Sequence, residues 1–243
     1  MESILLVNLS RQMTMRRTMD VIANNLANMN TTAFKAESVL FKEHLEPVQR
    51  GATRDNLSFV IDYGVSRNFE EGQFRPTGNS FDLAISGEGY FVVETDDGPR
   101  YTRNGHFKLD AEGQLVTHEG HPVLDQDGRT VLVNTEDVMT VSEDGTINAN
   151  DEEEPQRLMI ATFPNPGSLK KAGTSLFSSD DAPDQAAGAK VLQGTLESSN
   201  VSPILEMSRM IETTRAYQRA SDTEEKTGEL ARKAIERLGR VQS

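Results

Sequence analysis

Two periodicities alternate along the chain. From Ser3 to Met29 apolar side chains recur at three- and four-residue steps: Leu5, Leu9 and Met13, then Met15, Met19, Ile22 and Leu26. That spacing lays them along one side of an α-helix and predicts a helix over residues 3–29. Asn24, Asn25 and Asn28, then Asn30-Thr31-Thr32, offer side chains that compete for backbone groups, so the helix is predicted to stop there. A second stripe starts at Ile204 and runs through Met207, Ile211, Thr214 and Tyr217. It continues as Thr227, Ala231, Ala234, Leu238 and Val241, with Leu230 beside it. Ser202 reads as an N-cap with Pro203 at the first helical position, so residues 200–240 are predicted as one long helix. At 1.5 Å per residue the two helices are about 40 and about 60 Å long. Single stripes of that length need a partner to bury them.

Between the helices the period falls to that of strands. Phe91-Val92-Val93, Tyr101, Phe107-Lys108-Leu109, Leu115-Val116, Val123-Leu124, Val131-Leu132-Val133 and Val138 to Val141 are short apolar runs. Asp96-Asp97-Gly98, Asp110-Ala111-Glu112-Gly113, Asp125-Gln126-Asp127-Gly128 and Glu143-Asp144-Gly145 separate them as turns, which predicts successive antiparallel hairpins. Residues 34–80 and 164–199 lack strong periodicity and are predicted as extended connecting segments. The fold class is therefore α+β. The pattern predicts an inserted, mainly antiparallel β domain (81–163) with both chain ends (1–33 and 200–243) returned as long helices.

Composition narrows the function. The 243 residues include no Cys and no Trp, which removes disulfide scaffolds, thiolate zinc sites and cysteine nucleophiles. No apolar run is long enough to span a bilayer. The net charge of −13 is unevenly placed: residues 1–50 carry +1, residues 51–190 carry −14 and residues 191–243 carry none. An acidic middle argues against nucleic acid, whose phosphates need a basic surface. Neutral amphipathic ends permit close packing of copies, which a strongly charged surface resists. Met1-Glu2-Ser3 has no basic residue ahead of Ile4-Leu5-Leu6-Val7, so no cleaved signal peptide is predicted.

Reactive constellations are sparse. His118 and His121 stand three apart in a Gly-Pro-flanked turn without a third ligand, so no metal site is predicted. Asp125-Gln126-Asp127-Gly128 opens like a calcium loop but lacks the rest of it, including the terminal glutamate, and reads as a β-turn. Gly87-Glu88-Gly89 lacks the third glycine and the helix of a dinucleotide site and reads as a bend entering a strand. Asp151-Glu152-Glu153-Glu154 before Pro155 reads as a solvated loop. No nucleophile–base pair stands out, and neither a cofactor nor a small-molecule substrate is predicted. A secreted adhesin with a ligand-binding β domain is a competing class, but it has no need of two long terminal helices.

Three stretches taken together resemble bacterial flagellar rod and hook proteins. The first is Met19-Asp20-Val21-Ile22-Ala23-Asn24-Asn25-Leu26-Ala27-Asn28-Met29-Asn30-Thr31-Thr32-Ala33-Phe34-Lys35. The second is Asp82-Leu83-Ala84-Ile85-Ser86-Gly87-Glu88-Gly89-Tyr90-Phe91 with Tyr101-Thr102-Arg103-Asn104-Gly105. The third is Leu196-Glu197-Ser198-Ser199-Asn200-Val201 with Met210-Ile211-Glu212-Thr213-Thr214-Arg215-Ala216-Tyr217. Chain length and Leu9-Ser10-Arg11-Gln12-Met13 are most similar to the proximal-rod members, with distal-rod and hook-type members the alternative. Ala33 departs from the family, which usually has glycine before Phe-Lys; if the site needs a positive φ, alanine is disfavoured there.

The resemblance implies a structural axial subunit rather than an enzyme. It implies export through the flagellar type III apparatus, an inner domain in which the long N- and C-terminal helices (1–33 and 200–243) pair as a coiled coil, an outer β domain (81–163) and a place in the rod that crosses the periplasm. Expected partners are copies of itself, other proximal and distal rod proteins and the bushing rings around the rod. Residues expected at the assembly interface are Leu5, Leu9, Met15, Met19, Ile22, Asn24, Asn25, Leu26, Asn28 and Phe34 from the first segment. From the last they are Ile204, Met207, Ile211, Tyr217, Leu230 and Leu238, packing against the first set within or between subunits.

Overall fold

The computed structural model describes residues 2–50, 53–133, 139–148, 155–186 and 188–240. Val138, Asp151-Glu152-Glu153-Glu154 and the side chains of Leu5 and Leu238 lie outside the described residues. The chain forms two compact units. One comprises Met1–Ala27, Glu37–Asn68 and Ser202–Ser243, and the other Asn28–Ala36 and Phe69–Val201.

The first unit holds helix α1 (Glu2–Ala27), strands β1 (Glu37–Arg50) and β2 (Thr53–Arg67), and helix α2 (Pro203–Arg240). Both helices fall where the apolar spacing puts them, and Pro203 stands at the first helical position, where its missing N–H costs nothing. Gln12 Nε2 donates to Glu224 Oε2 at 2.7 Å, Thr214 Oγ1 to Met19 Sδ at 3.7 Å, and Asn25 Nδ2 to Glu206 Oε2 at 3.2 Å. As residue numbers rise on α1 they fall on α2, so the helices lie side by side and antiparallel.

Residues 37–67 correct the prediction of an extended connecting segment. They are extended, but β1 and β2 pair with each other from Glu37↔Arg67 to Arg50↔Thr53. The register shifts between Leu40 and Phe41, where Tyr63 is the extra residue of a bulge. Pro47 contributes no N–H to this ladder. A two-stranded ribbon consists of two edges, where proline is tolerated.

The second unit is the β body. Its main sheet has six strands in the order Lys170–Lys171, Phe177–Ser178, Gly98–Thr102, Tyr90–Thr95, Ile160–Thr162 and Asp184–Gln185. Each of its ladders is antiparallel. Alternation along Tyr90–Val93 divides the core: Phe91 and Val93 pack with Leu83, Ile85, Phe107, Leu115 and Val123, while Tyr90 and Val92 pack with Tyr101, Phe163 and Phe177. Both faces of this strand are buried, which explains its unbroken apolar run.

Residues 164–199, predicted as a return connection, add strands instead. Lys190–Gln193 pairs with Leu83–Ser86, and Thr195–Glu197 pairs with Phe74–Pro76. Strands of two to four residues are too short to display a period. The predicted turns are present. Asp125 Oδ1 accepts from the N–H groups of Asp127 and Arg129, with Gly128 at φ 75°, so this loop is an Asx-type turn. Gly87 and Gly89 take φ 99° and 154° immediately before the Tyr90 strand, as a bend entering it requires.

Candidate functional site

The helical unit carries the larger share of the predicted interface, and its side chains divide into two sets. One set is buried inside the unit. Val21 and Ile22 are buried, and so is the Asn25 amide. Asn25 Nδ2 donates to the Glu37 carbonyl at 2.8 Å while Asn25 Oδ1 accepts from the Glu37 N–H at 2.9 Å. The same amide donates to Glu206 Oε2, and Arg209 Nη1 donates to Glu206 Oε1 at 2.7 Å. Asn24 Nδ2 reaches Glu37 Oε2 at 3.3 Å, and Arg67 Nε donates to Glu37 Oε1 at 2.9 Å. One asparagine thus fastens α1 to the first residue of β1 and to the first turns of α2. Met15, Met19, Leu26 and Tyr217 are half-buried.

The second set faces away. Ile204 is 84% exposed, Met207 56%, Ile211 52% and Leu230 67%, and on α1 Leu6, Leu9 and Met13 are also exposed. Scattered single apolar residues on a surface mean little, but here they recur at i, i+3 and i+7 on each helix, which makes a stripe. Apart from Leu6 these are residues that the periodicity selects, and the chain by itself leaves them in water.

In the β body the junctions of both chain crossings are tied by buried charge. Lys35 Nζ donates to Glu197 Oε1 and to the Glu70 carbonyl, each at 2.7 Å. Glu197 Oε1 also accepts from the Gly72 N–H at 2.9 Å, and Glu197 Oε2 lies 3.5 Å from Arg103 Nη1. Arg103 donates to the carbonyls of Ile85 and Gly87 and stands 5.5 Å from the Tyr90 ring centre. Burial pulls the Lys35 ammonium below its ordinary pKa, with Glu197 opposing the shift. Burial also pushes the Tyr90 phenol up to about 12, with Arg103 opposing.

The same junction holds Ala33 at φ 56°, the one positive-φ residue other than glycine among the described residues. Its N–H donates to the Glu197 carbonyl at 2.8 Å. The backbone shape that suits glycine is therefore kept with alanine in place. Phe34 is buried here, 5.5 Å from Lys171 Nζ, so its ring serves the β body's own packing. Asn28 accepts from the Thr31 N–H and hydroxyl and closes the turn after α1.

Lys35 and Glu197 lie inside the recognised stretches, but a sequence gives no sign that charges 162 positions apart will meet. Glu206 and Glu37 were also missed; an acid in the first turn of a helix reads as a dipole partner before it reads as a buried acceptor. His118 stacks on His106 with ring centres 6.1 Å apart, while His121 Nε2 lies 3.9 Å from Glu119. No helix among the described residues is long and apolar enough to cross a membrane.

Three family models match this chain. Residues 5–35 match the flagella basal body rod protein, residues 84–149 the D1 domain of the flagellar hook proteins FlgE/F/G, and residues 192–237 the C-terminal region of the flagellar basal body rod proteins FlgEFG. The flagellar basal-body rod protein FlgF of Caulobacter vibrioides is 39% identical over 99% of this chain and 100% of its own length. FlgF of Mesorhizobium japonicum is 31% identical over 98% of this chain and 99% of its own. The rod protein FlgG of Bacillus subtilis is 32% identical over 82% of this chain and 85% of its own. The buried helix junction, the bare apolar stripes and these full-length matches converge: the chain belongs to the flagellar basal-body rod protein family, a structural protein of the FlgF/FlgG type.

Proposed function

We propose that this chain is a proximal-rod subunit that stacks helically into the torque-transmitting shaft, with copies of itself and with neighbouring proximal and distal rod proteins. The observation that carries the reading is the pair of apolar stripes left in water on α1 and α2. A stripe of this length costs free energy in a lone chain and is buried when copies pack side by side. Residues 1–33 and 200–243 then form an inner coiled-coil domain. The outer domain is centred on residues 81–163, to which Phe74–Pro76 and segment 164–199 contribute strands, while β1 and β2 stay with the helices. Leu9, Ile204, Met207, Ile211 and Leu230 pack between subunits, while Ile22 and Asn25 hold each subunit's own helices in place. The acidic β body faces outward toward the bushing rings. The chain reaches the rod, which crosses the periplasm, through the flagellar type III export apparatus without a cleaved signal peptide.

A distal-rod position is the second reading, favoured by the matches to FlgG proteins over most of the chain. Cryo-electron microscopy of isolated basal bodies, with this chain carrying a density label, decides between them. Density at the membrane-proximal end of the rod is the expected result. Density in the distal rod or hook overturns the proximal assignment, and absence from the axial structure overturns the reading as a whole.

A further inference from the structure

Helix α2 presents two different surfaces. At 3.6 residues per turn, Ile204, Met207 and Ile211 fall on one side, with Arg215 a turn beyond them, while Glu206, Arg209 and Thr213 fall roughly half a turn away and Glu212 about a quarter turn away, on the near rim. The second side is part of the wall of a groove of about 270 Å³, whose apolar floor is Val21, Ile22, Val39 and Phe41. Phe41 remains exposed beside it. So the helix carries an apolar ridge on one side and helps to form an apolar groove on the other.

We infer that the groove is the receptor for the α2 ridge of a second copy of this chain, which deepens the assembly reading above and rests on it. Three observations select that occupant. The ridge and the groove lie at the same level along the helix pair, because Asn25 meets Glu206 and Met19 meets Thr214. A copy beside the first therefore engages without sliding along the helix axis, whereas the Leu6, Leu9 and Met13 stripe lies nearer the other end of the pair. The surfaces also match in charge. Glu212 lines the groove and Arg215 ends the ridge, both exposed, and neither makes an ion pair among the described residues. Finally, residues 191–243 carry no net charge, so the ridge of one copy and the α2 wall of the next meet without net charge repulsion between them.

The arrangement fixes the kind of assembly. Ridge and groove are different surfaces on opposite sides of one helix, so the contact is heterologous. Every added copy leaves one ridge and one groove unfilled, and growth continues as a ring or an open helix rather than stopping at a two-fold dimer.

Because the chain has no cysteine, introduced thiols report only the contact they probe. The full-length chain is made with Ser38→Cys at the groove, with Met207→Cys on the ridge, and with both, then oxidised in isolated basal bodies and as concentrated purified protein. The double variant is expected to give a ladder of disulfide-linked oligomers, a mixture of the single variants to give one dimer band, and each single variant alone to give none. Adding Arg215→Glu to the double variant is expected to reduce the ladder several-fold. Dimers from Met207→Cys alone would mean ridge meeting ridge and overturn the inference. So would linkage of Ser38→Cys to Met13→Cys in place of Met207→Cys. If the double variant is present in rods yet gives no ladder, the inference fails while the assembly reading stands. If the chain is missing from rods, both fail.

Discussion

Lys35 Nζ and Glu197 Oε1 sit 2.7 Å apart with each side chain only 1% exposed, joining the residues just after the first crossing of the chain to those just before the last. Burying both charges costs solvation that their attraction only partly returns, so the pair fixes geometry more than it adds stability. What it fixes is the entry to and exit from the β body. Glu197 accepts at once from Lys35 and from Gly72, and a Cβ added at Gly72 would lie 1.9 Å from the Ser198 carbonyl oxygen.

Removing one partner strands the other. Lys35→Ala is expected to destabilise the folded chain by about 3–5 kcal/mol, because the Glu197 carboxylate is left buried beside Arg103 alone. Lys35→Met with Glu197→Gln is expected to recover a large part of that loss. Urea unfolding followed by tyrosine fluorescence gives both values. A double-variant loss equal to the sum of the losses from Lys35→Met and from Glu197→Gln alone would show that the charges are uncoupled.

Asn25 is the counterpart in the helical unit. Its amide satisfies both backbone groups of Glu37 and one oxygen of Glu206, and a buried polar group left unpaired costs roughly 1–3 kcal/mol. Asn25→Ala is expected to speed proteolysis near residues 28–40. Asn25→Asp should be worse at neutral pH, since it removes the donor and sets a second carboxylate against Glu206. An unchanged cleavage pattern in both variants would refute the role.

Much of this was legible in the sequence. The helices were, because each displays its spacing over many turns, and so was the Tyr90–Val93 strand. The ribbon of β1 and β2 was not. Its pairing depends on a local turn and register, which residues without strong periodicity do not announce. The short strands after residue 164 were invisible for lack of length. Asn25 was legible as a polar side chain that competes for backbone groups near the end of α1, and its amide bonds the Glu37 backbone. Ile204 and Met207 were legible as apolar helix positions, but nothing in the spacing says whether a stripe turns inward or outward. Lys35 and Glu197 needed the fold, since their contact spans most of the chain.

Ala33 offers a test of local strain. Its φ of 56° costs a non-glycine residue about 1–2 kcal/mol, partly offset by the greater chain entropy that glycine loses on folding. Ala33→Gly is expected to raise the melting temperature slightly, by up to about 1 kcal/mol in stability, and Ala33→Val to lower it. Calorimetry that ranks glycine below alanine would show that the buried methyl outweighs the strain.

The phenol of Tyr90 makes stability fall in alkali. Burial raises its pKa to about 12 from 10.0, so the folded chain holds this proton after the unfolded chain has lost it. The stabilisation is fully present below pH 10 and is lost as pH rises toward 12. Tyr90→Phe is expected to flatten the decline in melting temperature over that interval and to remove a late-titrating component of tyrosinate absorbance. A decline of unchanged slope would place the sensitivity elsewhere, with Tyr101, which burial also raises, the next group to replace.

Ile211 separates assembly from folding. Its side chain is 52% exposed in the single chain and lies on the ridge between Met207 and Arg215. Replacing an exposed residue on a helix usually changes stability by under about 0.5 kcal/mol, so Ile211→Asp should melt and resist urea much as the parent does. On the proposed packing the same position meets an apolar surface of the next subunit, where an unpaired carboxylate costs several kcal/mol per contact. Every subunit carries the change, so the penalty recurs at each contact along the stack. Rods and swimming should therefore be lost at unchanged protein level, while Ile211→Leu, which keeps the side chain apolar and near its volume, should retain both. The checks are thermal melts of the purified chain, immunodetection of the cellular protein and electron microscopy of basal bodies. A monomer destabilised by more than about 2 kcal/mol would mean that Ile211 packs within its own subunit. Normal rods with aspartate at this position would remove it from the interface.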